Sequence, residues 1–334
     1  MMRQTSLAEL PPPPAKQRGW PWTGVCERHS DLVGNTIDWP KVTIVTPSFN
    51  QGQFLEETIR SVLLQGYPNL EYIVIDGGST DNSIDIIRKY EPWLSFWVSE
   101  PDEGQADAIN KGFAKSTGEF IGWINSDDFL YPGVIKRVVE IFQTKSRVEM
   151  IYGDVDCGWP EKNKVHRLLG EQIEFSEMLR TIRVPIPQQG SMWRRSVLDR
   201  VGNLDSRWQV VLDQEFFTRV AEKCQILYLP MVMGFFRLHD NSKSISQNRQ
   251  WIKELPKMYQ EFFERDELQK DIKSLRDETM GAVFLTCTSI ALRCGEKSLA
   301  IEYFTRACKT DPVFPFRRYL RVKLARIFRV PFLR

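Results

Sequence analysis

The 334-residue sequence lacks the cysteine patterns that mark a disulfide framework or a zinc finger. Its six cysteines are scattered without a Cys-x-x-Cys pair, and the chain has only three histidines. We therefore expect reduced thiols in a cytoplasmic protein. The formal net charge is only +2. Because this balance gives no bulk attraction to phosphate backbones, we predict no nucleic-acid partner.

Long apolar runs are also missing. No segment approaches the roughly 20 apolar residues that a membrane-spanning helix needs. The start, MMRQTSLAELPPPP, contains no continuous apolar segment of the signal-peptide type. Neither feature argues for export, so a cytoplasmic location is expected.

Two nucleotide-binding signatures are absent after the first predicted strand, where the loop reads TPSFNQGQFLEE. The loop has no G-x-G-x-x-G motif, which disfavours a nicotinamide dehydrogenase. It also has no Lys or Arg to cradle a triphosphate, which disfavours a nucleotidyltransferase. The nucleotidyltransferase stays open as an alternative because it shares much of the fold pattern.

The most informative stretch is residues 118–131, which reads GEFIGWINSDDFLY. Its apolar run at 120–124 predicts a buried strand. The strand stops at Asn125, Ser126, Asp127 and Asp128. Carboxylates at the carboxyl end of a strand can hold a divalent cation that neutralises a diphosphate. The same residues could instead cap the next helix, and the stretch alone leaves both interpretations open.

Strands and helices alternate throughout residues 41–145, which predicts a doubly wound, mostly parallel sheet. A polar cluster follows the carboxyl end of every predicted strand, and such clusters meet at one edge of a parallel sheet. We therefore expect a nucleotide-type site there. The strands are predicted at residues 42–46, 72–75, 96–98 and 120–124, and the clusters at 47–50, 76–81, 100–104 and 125–128.

Six segments carry a resemblance to a known family: VTIVTPSFNQGQFLEETIRSVLLQ, YIVIDGGSTDNS, EPDEGQADAINKG, GEFIGWINSDD, VLDQEFFTRV and FRLHDNSKS. In this order and spacing they resemble the family-2 inverting glycosyltransferases of the GT-A fold. The resemblance implies an α/β, GT-A-type, doubly wound sheet with a helical C-terminal extension. It also implies transfer of a sugar from a nucleotide-activated donor to an acceptor hydroxyl in polysaccharide, glycolipid or cell-envelope glycan synthesis. A sugar-nucleotide-binding homologue without catalysis is the alternative.

The resemblance also assigns roles to residues. Asp213 is implied as the general base, although a helix cap would explain it equally well locally. Backbone N–H groups at the helix start are expected to lower its pKa. Asp127 is the main candidate ligand of Mg²⁺ or Mn²⁺, with Asp128 and His239 as further metal candidates. The donor-binding candidates are Pro47, Phe49, Asn50, Asp76, Gly104, Asp107, Asn110, Lys111, Ser126, Asp127 and His239.

Two positions depart from the family pattern. Asn125 stands where the first aspartate of the Asp-x-Asp metal motif is usual, which leaves Asp127 as its remaining acid. Gly77 stands where a second acidic nucleoside-binding residue is usual, directly after Asp76. Both departures concern the donor side of the predicted site.

The chain is divided into a Pro/Trp-rich arm at residues 1–40, a catalytic domain at 41–245 and a helical extension at 246–334. The domain comprises a nucleotide-sugar half, 41–145, and an acceptor half, 146–245, with strands predicted at 226–229 and 234–238. Within the extension, 284–312 resembles one tetratricopeptide-like hairpin.

The tail, 317–334, has seven basic and no acidic residues. It resembles an interfacial helix for an anionic membrane, and a solvated or domain-packed helix is the alternative.

Overall fold

The computed structural model of the protein describes residues 4–24, 39–162, 164–240, 242–243 and 247–313. These residues form two compact units. The first contains the residues up to Gln172 together with Pro185–His239, and the second contains Ile173–Val184 together with the residues from Asp240 onward. The predicted basic tail, 317–334, lies outside the described residues.

Within the described residues, nine strands form one sheet in the first unit. Its order is β3-β2-β1-β4-β8-β6-β9-β5, and β7 pairs with β6. The first four strands in this order run parallel, which confirms the predicted parallel half. The strands are β1 Val42–Ser48, β2 Leu70–Asp76, β3 Phe96–Ser99, β4 Phe120–Trp123, β5 Phe129–Leu130, β6 Met150–Trp159, β7 Lys164–Leu168, β8 Ser191–Arg194 and β9 Ile226–Arg237.

Among the residues that the structure describes, seven α-helices lie along the chain up to residue 223. They are α1 Gly52–Leu63, α2 Ser83–Tyr90, α3 Gln105–Lys115, α4 Val134–Thr144, α5 Phe175–Thr181, α6 Ser196–Val201 and α7 Leu212–Lys223. Helix α5 belongs to the second unit, and the other six belong to the first. Helices α1, α2 and α4 share one core with the sheet. That core forms because their apolar residues recur at helical spacing while β1 is buried along its whole length.

The opposite face of the sheet is packed with aromatic side chains. Trp123, the last residue of β4, stacks on Phe217 of α7 with ring centroids 5.7 Å apart. Phe216 of α7 also contacts the Trp123 ring, at 6.0 Å. Phe113 of α3 meets Trp123 edge to face at 6.2 Å. These contacts hold the start of α7 beneath the carboxyl end of β4, which becomes important for the position of Asp213.

Strand β9 differs from the sequence prediction of two separate strands at 226–229 and 234–238. The strand continues through Pro230, which lies in an irregular part of its pairing with β6. Leu229 pairs with Gly153, and the next pair is Val232 with Asp154. Because proline cannot donate to the ladder, a bulge is one of the few strand positions that accepts it. The prediction of a break here was wrong for this reason.

The described part of the N-terminal arm packs against α1 and β5. Trp22 is buried, and the Trp20 indole N–H donates to the Leu130 carbonyl at 2.7 Å. The guanidinium of Arg60 on α1 is fully buried under the arm and donates to the carbonyls of Pro11, Pro21 and Trp22 at 2.8–3.2 Å.

The described part of the second unit is helical, with α5 and four later helices. The predicted hairpin is present as its last two helices, joined through Gly295 in a left-handed conformation. In its second helix Ala300 and Ala307 are buried, whereas 47% of the Phe304 surface is exposed. The four helices are α8 Asn248–Phe263, α9 Lys270–Lys273, α10 Arg276–Arg293 and α11 Lys297–Thr310.

Candidate active site

The polar clusters predicted after the strands lie together because those strands end at the same level. Ser48, the last residue of β1, is in register with Asp76, the last residue of β2. Asp76 is in turn paired with Ser99, the last residue of β3. On the other side of β1, Val45 pairs with Trp123 at the end of β4. The four loops therefore leave one edge of the sheet, where parallel α/β folds bind ligands.

Asp127 faces His239 across this edge. The His239 Nε2 atom lies 3.0 Å from Asp127 Oδ2, and their side chains retain 11% and 18% of their surface exposed. The two residues are brought together from the end of β4 and from the residues after β9. The structure thus places two of the three predicted metal candidates in direct contact.

The loop that carries Asp127 is fixed from below by α1. The Thr58 hydroxyl donates to the carbonyls of Ser126 and Asp128 at 2.9 and 2.6 Å. The Ser126 side chain is itself buried within the loop. These bonds fix the backbone of the loop on either side of Asp127.

Asp128 points inward. Its carboxylate accepts hydrogen bonds from the Gln189 amide at 2.8 Å, the Arg237 backbone N–H at 2.9 Å and the Asn125 amide at 3.2 Å. Burial and the adjacent Asp127 charge raise the pKa of Asp128 well above its usual value. Both carboxylate oxygens are thus engaged by donors of the protein, and these bonds join the loop to residues 188–190 and to β9.

Asn125 lies at the centre of a neutral amide network. Its Nδ2 donates to Asp128 and, at 3.1 Å, to Gln188 Oε1, while its Oδ1 accepts from Gln105 at 2.8 Å. An aspartate here could not donate to Asp128 and would place a second negative charge beside a buried carboxylate. The amide at the unusual position is therefore matched to its surroundings.

Arg237 is a site residue that the sequence did not reveal. Its guanidinium donates to the Asp127 carbonyl at 3.0 Å and to Glu57 of α1 at 2.6 Å, and it lies over the Phe54 ring at 4.9 Å. Burial raises the pKa of Glu57 despite the opposing charge of Arg237. The only sequence feature that pointed to Arg237 was its position two residues before His239.

Asp76 lies where the sequence placed it, but its carboxylate is fully buried. It accepts four hydrogen bonds, from the Gly78 and Ser79 backbone N–H groups and from the Ser79 and Ser99 hydroxyls, at 2.6–3.2 Å. These bonds shape the loop after β2 and connect it to the end of β3. A nucleoside contact through Asp76 remains a prediction.

The loop after β1 exposes an aromatic ring at the sheet edge. Phe49 keeps 59% of its surface exposed, which suits a side chain that stacks on a planar ligand. Asn50 adopts a left-handed conformation (φ 51°) and accepts the Thr80 N–H at 2.8 Å. Pro47 does not lie in the loop: it is buried inside β1, because the strand runs two residues further than predicted.

The predicted donor-sugar residues fall on the start of α3 and the loop before it. Gly104 has φ 121°, which favours glycine, and a side chain there would approach the Gln209 amide at 3.1 Å. Asn110 exchanges two hydrogen bonds with the Leu204 backbone, at 2.8 and 3.1 Å. Asp107 and Lys111 form an ion pair at 3.3 Å. Gly104 and Asn110 therefore hold α3 and the loop before it against Leu204 and Gln209, which precede α7. Donor contacts of these residues remain predictions.

Asp213 is the second residue of α7, whose aromatic residues pack under the end of β4. Burial raises the pKa of its carboxyl, and the Gln214 backbone N–H, 2.8 Å away, only partly offsets this effect. The expectation that helix N–H groups would lower the pKa was wrong, because the loss of solvent outweighs them. Within the described residues, Asp213 forms no ion pair.

The two neighbouring acids that could replace Asp213 are engaged elsewhere. Asp205 is clamped by the Arg207 guanidinium at 2.6–3.0 Å, and these bonds lower its pKa although burial opposes them. Glu215 is paired with Arg219 one helical turn later, at 2.6 and 2.7 Å. Of these three carboxylates, Asp213 is the one that has no ion pair with an arginine within the described residues.

The donor set at this edge fits a divalent cation. Asp127 supplies carboxylate oxygens and His239 an imidazole nitrogen, both of which suit Mn²⁺, and Mg²⁺ typically takes one or two carboxylates together with substrate phosphates. The described residues contain no group of three or more His, Cys, Asp or Glu side chains placed to hold a metal. A cation at Asp127 and His239 would take its remaining ligands from a bound diphosphate and water.

Comparison with known sequences assigns the chain to a family. The model for Glycosyl transferase family 2 matches residues 43–202. An uncharacterized glycosyltransferase of Mycobacterium tuberculosis is 34% identical over 201 residues, which cover 59% of this chain and 75% of the relative. The chain belongs to glycosyl transferase family 2.

Solved structures confirm the predicted GT-A-type fold of this family-2 member. TarS of S. aureus matches with a TM-score of 0.61 and 17% identity, over 85% of this chain and 53% of TarS. TarS 1-349 in complex with UDP-GlcNAc matches with a TM-score of 0.55 and 13% identity, over 81% of this chain and 91% of that chain. PcManGT, a mannosyltransferase from Pyrobaculum calidifontis solved with GDP-Man and Mn²⁺, matches with a TM-score of 0.57 and 18% identity, over 86% of this chain and 80% of PcManGT.

Proposed function

We propose that this glycosyltransferase moves a hexosyl group from a nucleoside-diphosphate donor to an acceptor hydroxyl with inversion. The observation that carries the proposal is the pairing of two features at one sheet edge. Asp127 and His239 are in contact at the end of β4, and Asp213 opens the helix that packs beneath that same strand end. The Asp127–His239 pair suits a leaving diphosphate, and Asp213 suits the proton of an acceptor hydroxyl.

The donor would lie across the ends of β1, β2 and β4. Phe49 offers an exposed ring for the nucleobase, and Asp127 and His239 face the diphosphate. The bound nucleotide sugars of the two fold neighbours, UDP-GlcNAc and GDP-Man, support this choice of donor class. The loop at Gly104 then borders the sugar, between the diphosphate and Asp213.

Transfer with inversion follows from a base on the face of the sugar opposite the leaving group. The acceptor oxygen attacks the anomeric carbon while its proton passes to an Asp213 carboxylate oxygen. The bond from the anomeric carbon to the diphosphate oxygen breaks, and the diphosphate leaves with the electron pair. Because burial raises the pKa of Asp213, it is a stronger base than an exposed aspartate.

The cation would be held by Asp127 and His239. When bound, it supplies positive charge that neutralises the diphosphate. Arg237 and Thr58 keep the Asp127 loop in place through its backbone carbonyls. The protein therefore provides a fixed ligand loop, so little reorganisation is needed when the donor binds.

The acceptor is proposed to be a hydroxyl of a growing polysaccharide, a glycolipid or a cell-envelope glycan. It would reach Asp213 from the side formed by the later half of the catalytic domain, residues 146–245. A basic tail at 317–334 would bring the enzyme to the anionic surface on which a lipid-linked acceptor lies. The sugar, the nucleotide and the acceptor are therefore varied in the experiment that tests the proposal.

The test is hydrolysis and transfer with a panel of nucleotide sugars, with Mg²⁺, Mn²⁺ or EDTA. We expect at least one donor to raise the melting temperature and to release its nucleoside diphosphate in a cation-dependent reaction. Binding without turnover in any acceptor mixture would identify a non-catalytic sugar-nucleotide-binding protein. Pyrophosphate release from a nucleoside triphosphate and a sugar phosphate would identify a nucleotidyltransferase. Either outcome contradicts the proposal.

A further inference from the structure

The loop after β2 contains a space that a neighbouring carboxylate fills. A side chain at Gly77 would place its Cβ against Asp102 Oδ2, with Asp102 Cγ at 3.0 Å and Oδ1 at 3.3 Å. Gly77 does not adopt the left-handed conformation, unlike Gly78 with φ 81°. The backbone would therefore accept another residue at position 77. Glycine is required at position 77 because the Asp102 side chain occupies the space that a Cβ would need.

Asp102 reaches this space from the loop after β3. Its Oδ1 accepts the Gly104 N–H at 2.8 Å, which fixes the direction of the carboxylate. The two loops are also joined by the backbone, because the Glu100 N–H donates to the Asp76 carbonyl at 3.0 Å. The Asp102 side chain is half-buried, and Oδ2 is the oxygen directed at Gly77.

The two acids at this edge differ in what they can still bind. Asp76 is fully buried, and four donors of its own loop and of Ser99 engage both of its carboxylate oxygens. Asp102 accepts one hydrogen bond within the described residues, through Oδ1. Asp102 therefore offers a carboxylate oxygen at the place where a side chain on residue 77 would otherwise project.

We propose that Asp102 recognises the base of the donor nucleotide through an N–H group, in place of a side chain at position 77. A carboxylate oxygen accepts the ring N–H that uracil and guanine present, whereas the Watson–Crick edges of cytosine and adenine carry an unprotonated ring nitrogen. Such a contact is charge-assisted and therefore strong. The inference rests on the proposed function, and it selects a uridine or guanosine donor over cytidine and adenosine donors.

The geometry also makes positions 77 and 102 interdependent. Adding a carboxylate at 77 while Asp102 is present forces two negative side chains into one space. Removing Asp102 empties that space and leaves the base without its acceptor. Doing both restores one carboxylate at the same place, now carried by the loop after β2 instead of the loop after β3. A reciprocal exchange is therefore the sharpest test of the assignment.

The experiment measures dissociation constants of UDP, GDP, CDP and ADP for the full chain by calorimetry. We expect wild type to prefer UDP or GDP and D102A to lose about 10- to 100-fold in affinity for that nucleotide. G77D should lose a similar factor, and G77D/D102A should recover most of the loss. The matched control is E103A, which removes an exposed carboxylate from the same loop.

A merely structural role for Asp102 is tested by D102N. The amide oxygen can still accept the Gly104 N–H, so a structural role predicts wild-type affinity and melting temperature. The proposal predicts a normal melting temperature with weakened UDP or GDP binding, because an amide N–H would then face the ring N–H. Unchanged base preference in D102A and D102N, or a double variant no better than G77D, would overturn the assignment. If wild type binds no nucleoside diphosphate at all, the proposed function itself fails, and the assignment fails with it.

Discussion

At the scale of single residues, Asp213 shows how burial can decide the chemistry of a carboxylate. Two effects act on it in opposite directions: lost hydration raises its pKa, and the N–H groups at the start of α7 lower it. Burial is the larger effect. The same position in a solvent-exposed helix would give an ordinary, weakly basic cap. Here it gives a carboxylate that holds a proton more readily.

We expect D213N to lower kcat by about 10²–10⁴-fold, because it removes the proton acceptor and keeps the side-chain size. The asparagine oxygen can still accept the Gln214 N–H, so folding and donor affinity should stay close to those of wild type. Steady-state kinetics, thermal unfolding and donor binding measure the three quantities. E215Q is the matched control on the same helical turn. A D213N variant with a near wild-type kcat would make Asp213 structural and direct attention to Asp205 or Glu215.

The pH dependence follows from the direction of the Asp213 pKa. The base acts only when deprotonated, so kcat should fall as the pH is lowered through its raised pKa. In D213N this acidic limb should disappear from the remaining activity. The stability effect has the opposite sense: a raised folded-state pKa means that the native state loses stability as pH rises from the unfolded to the folded value. If the acidic limb of the kcat profile persists in D213N, a group other than Asp213 produces it.

Asp127 and Asp128 are adjacent in sequence but should respond differently to substitution. D127A should abolish transfer and remove the cation-dependent part of donor affinity, since Asp127 faces the crevice beside His239. D128A should affect donor affinity less and stability more, because it removes the acceptor of three hydrogen bonds. Donor dissociation constants with Mg²⁺ and with EDTA, together with urea unfolding, separate the two effects. Equal donor affinity of wild type in both conditions would contradict the cation mechanism.

At the scale of elements, the N-terminal arm depends on one arginine of α1. Arg60 is fully buried and donates to three carbonyls of the arm and to the Tyr90 hydroxyl. Its guanidinium also lies over the Trp22 ring at 5.4 Å. The arm has little regular structure of its own, so its position is set by these contacts and by the Trp20 bond to Leu130.

We expect R60A to lower the free energy of unfolding by about 2–4 kcal/mol, because buried carbonyls lose a charged donor and a cavity opens. The arm should also become sensitive to a protease before the rest of the chain. Urea unfolding and timed proteolysis with mass spectrometry measure both. R88A is the control, since Arg88 is largely exposed on α2 and should change stability by less than about 0.5 kcal/mol. Equal proteolysis of the arm in both variants would show that Arg60 does not hold it.

The elements that the sequence predicted well are those whose pattern is local. Strand β1 is a continuous buried run, and α1 repeats its apolar residues at helical spacing, so neighbouring residues suffice to identify them. The Pro230 bulge was missed because it depends on a shifted pairing with β6. A strand that ends in solvent and a strand that bulges give the same local pattern.

The candidate site was predictable in outline for a similar reason. Polar residues at strand ends pointed to Asp127 and Asp76 without any knowledge of contacts, and the family resemblance pointed to Asp213. The roles of Arg237, Gln188 and Asp102 were not predictable, because each acts on a partner distant in sequence or in another loop. The pKa of Asp213 was predicted with the wrong sign because its burial is a property of the folded chain.

At the scale of the whole molecule, the tail is the segment whose sequence predicts membrane association. Among the helices of the described residues, none has the length and apolarity to cross a bilayer. The tail at 317–334 lies outside those residues, and its seven basic residues and the apolar set Leu320, Leu324, Ile327 and Phe328 are properties of the sequence. Any peripheral membrane binding by this segment would be electrostatic and interfacial.

We expect the full chain to co-sediment with vesicles that contain an anionic lipid, and deletion of residues 317–334 to abolish this. Each basic residue near such a surface contributes about 1 kcal/mol, so binding should weaken at high salt. Neutral phosphatidylcholine vesicles are the control surface. Co-sedimentation that is unchanged by the deletion would leave the tail a solvated or domain-packed helix.

The second unit is assembled from two separate stretches of chain. Ile173–Val184 contributes α5, whose Phe175 ring meets Phe262 at 6.1 Å and whose Arg180 pairs with Glu278 at 3.4 Å. On the ribosome, α5 is made roughly 90 residues before α10, which corresponds to some 5–20 s of synthesis. For most of that interval α8 is also incomplete, although β7 and β8 on either side of α5 can already pair with earlier strands. In the growing chain, α5 therefore has to wait for α8 and α10 before Phe175 and Arg180 can make these contacts.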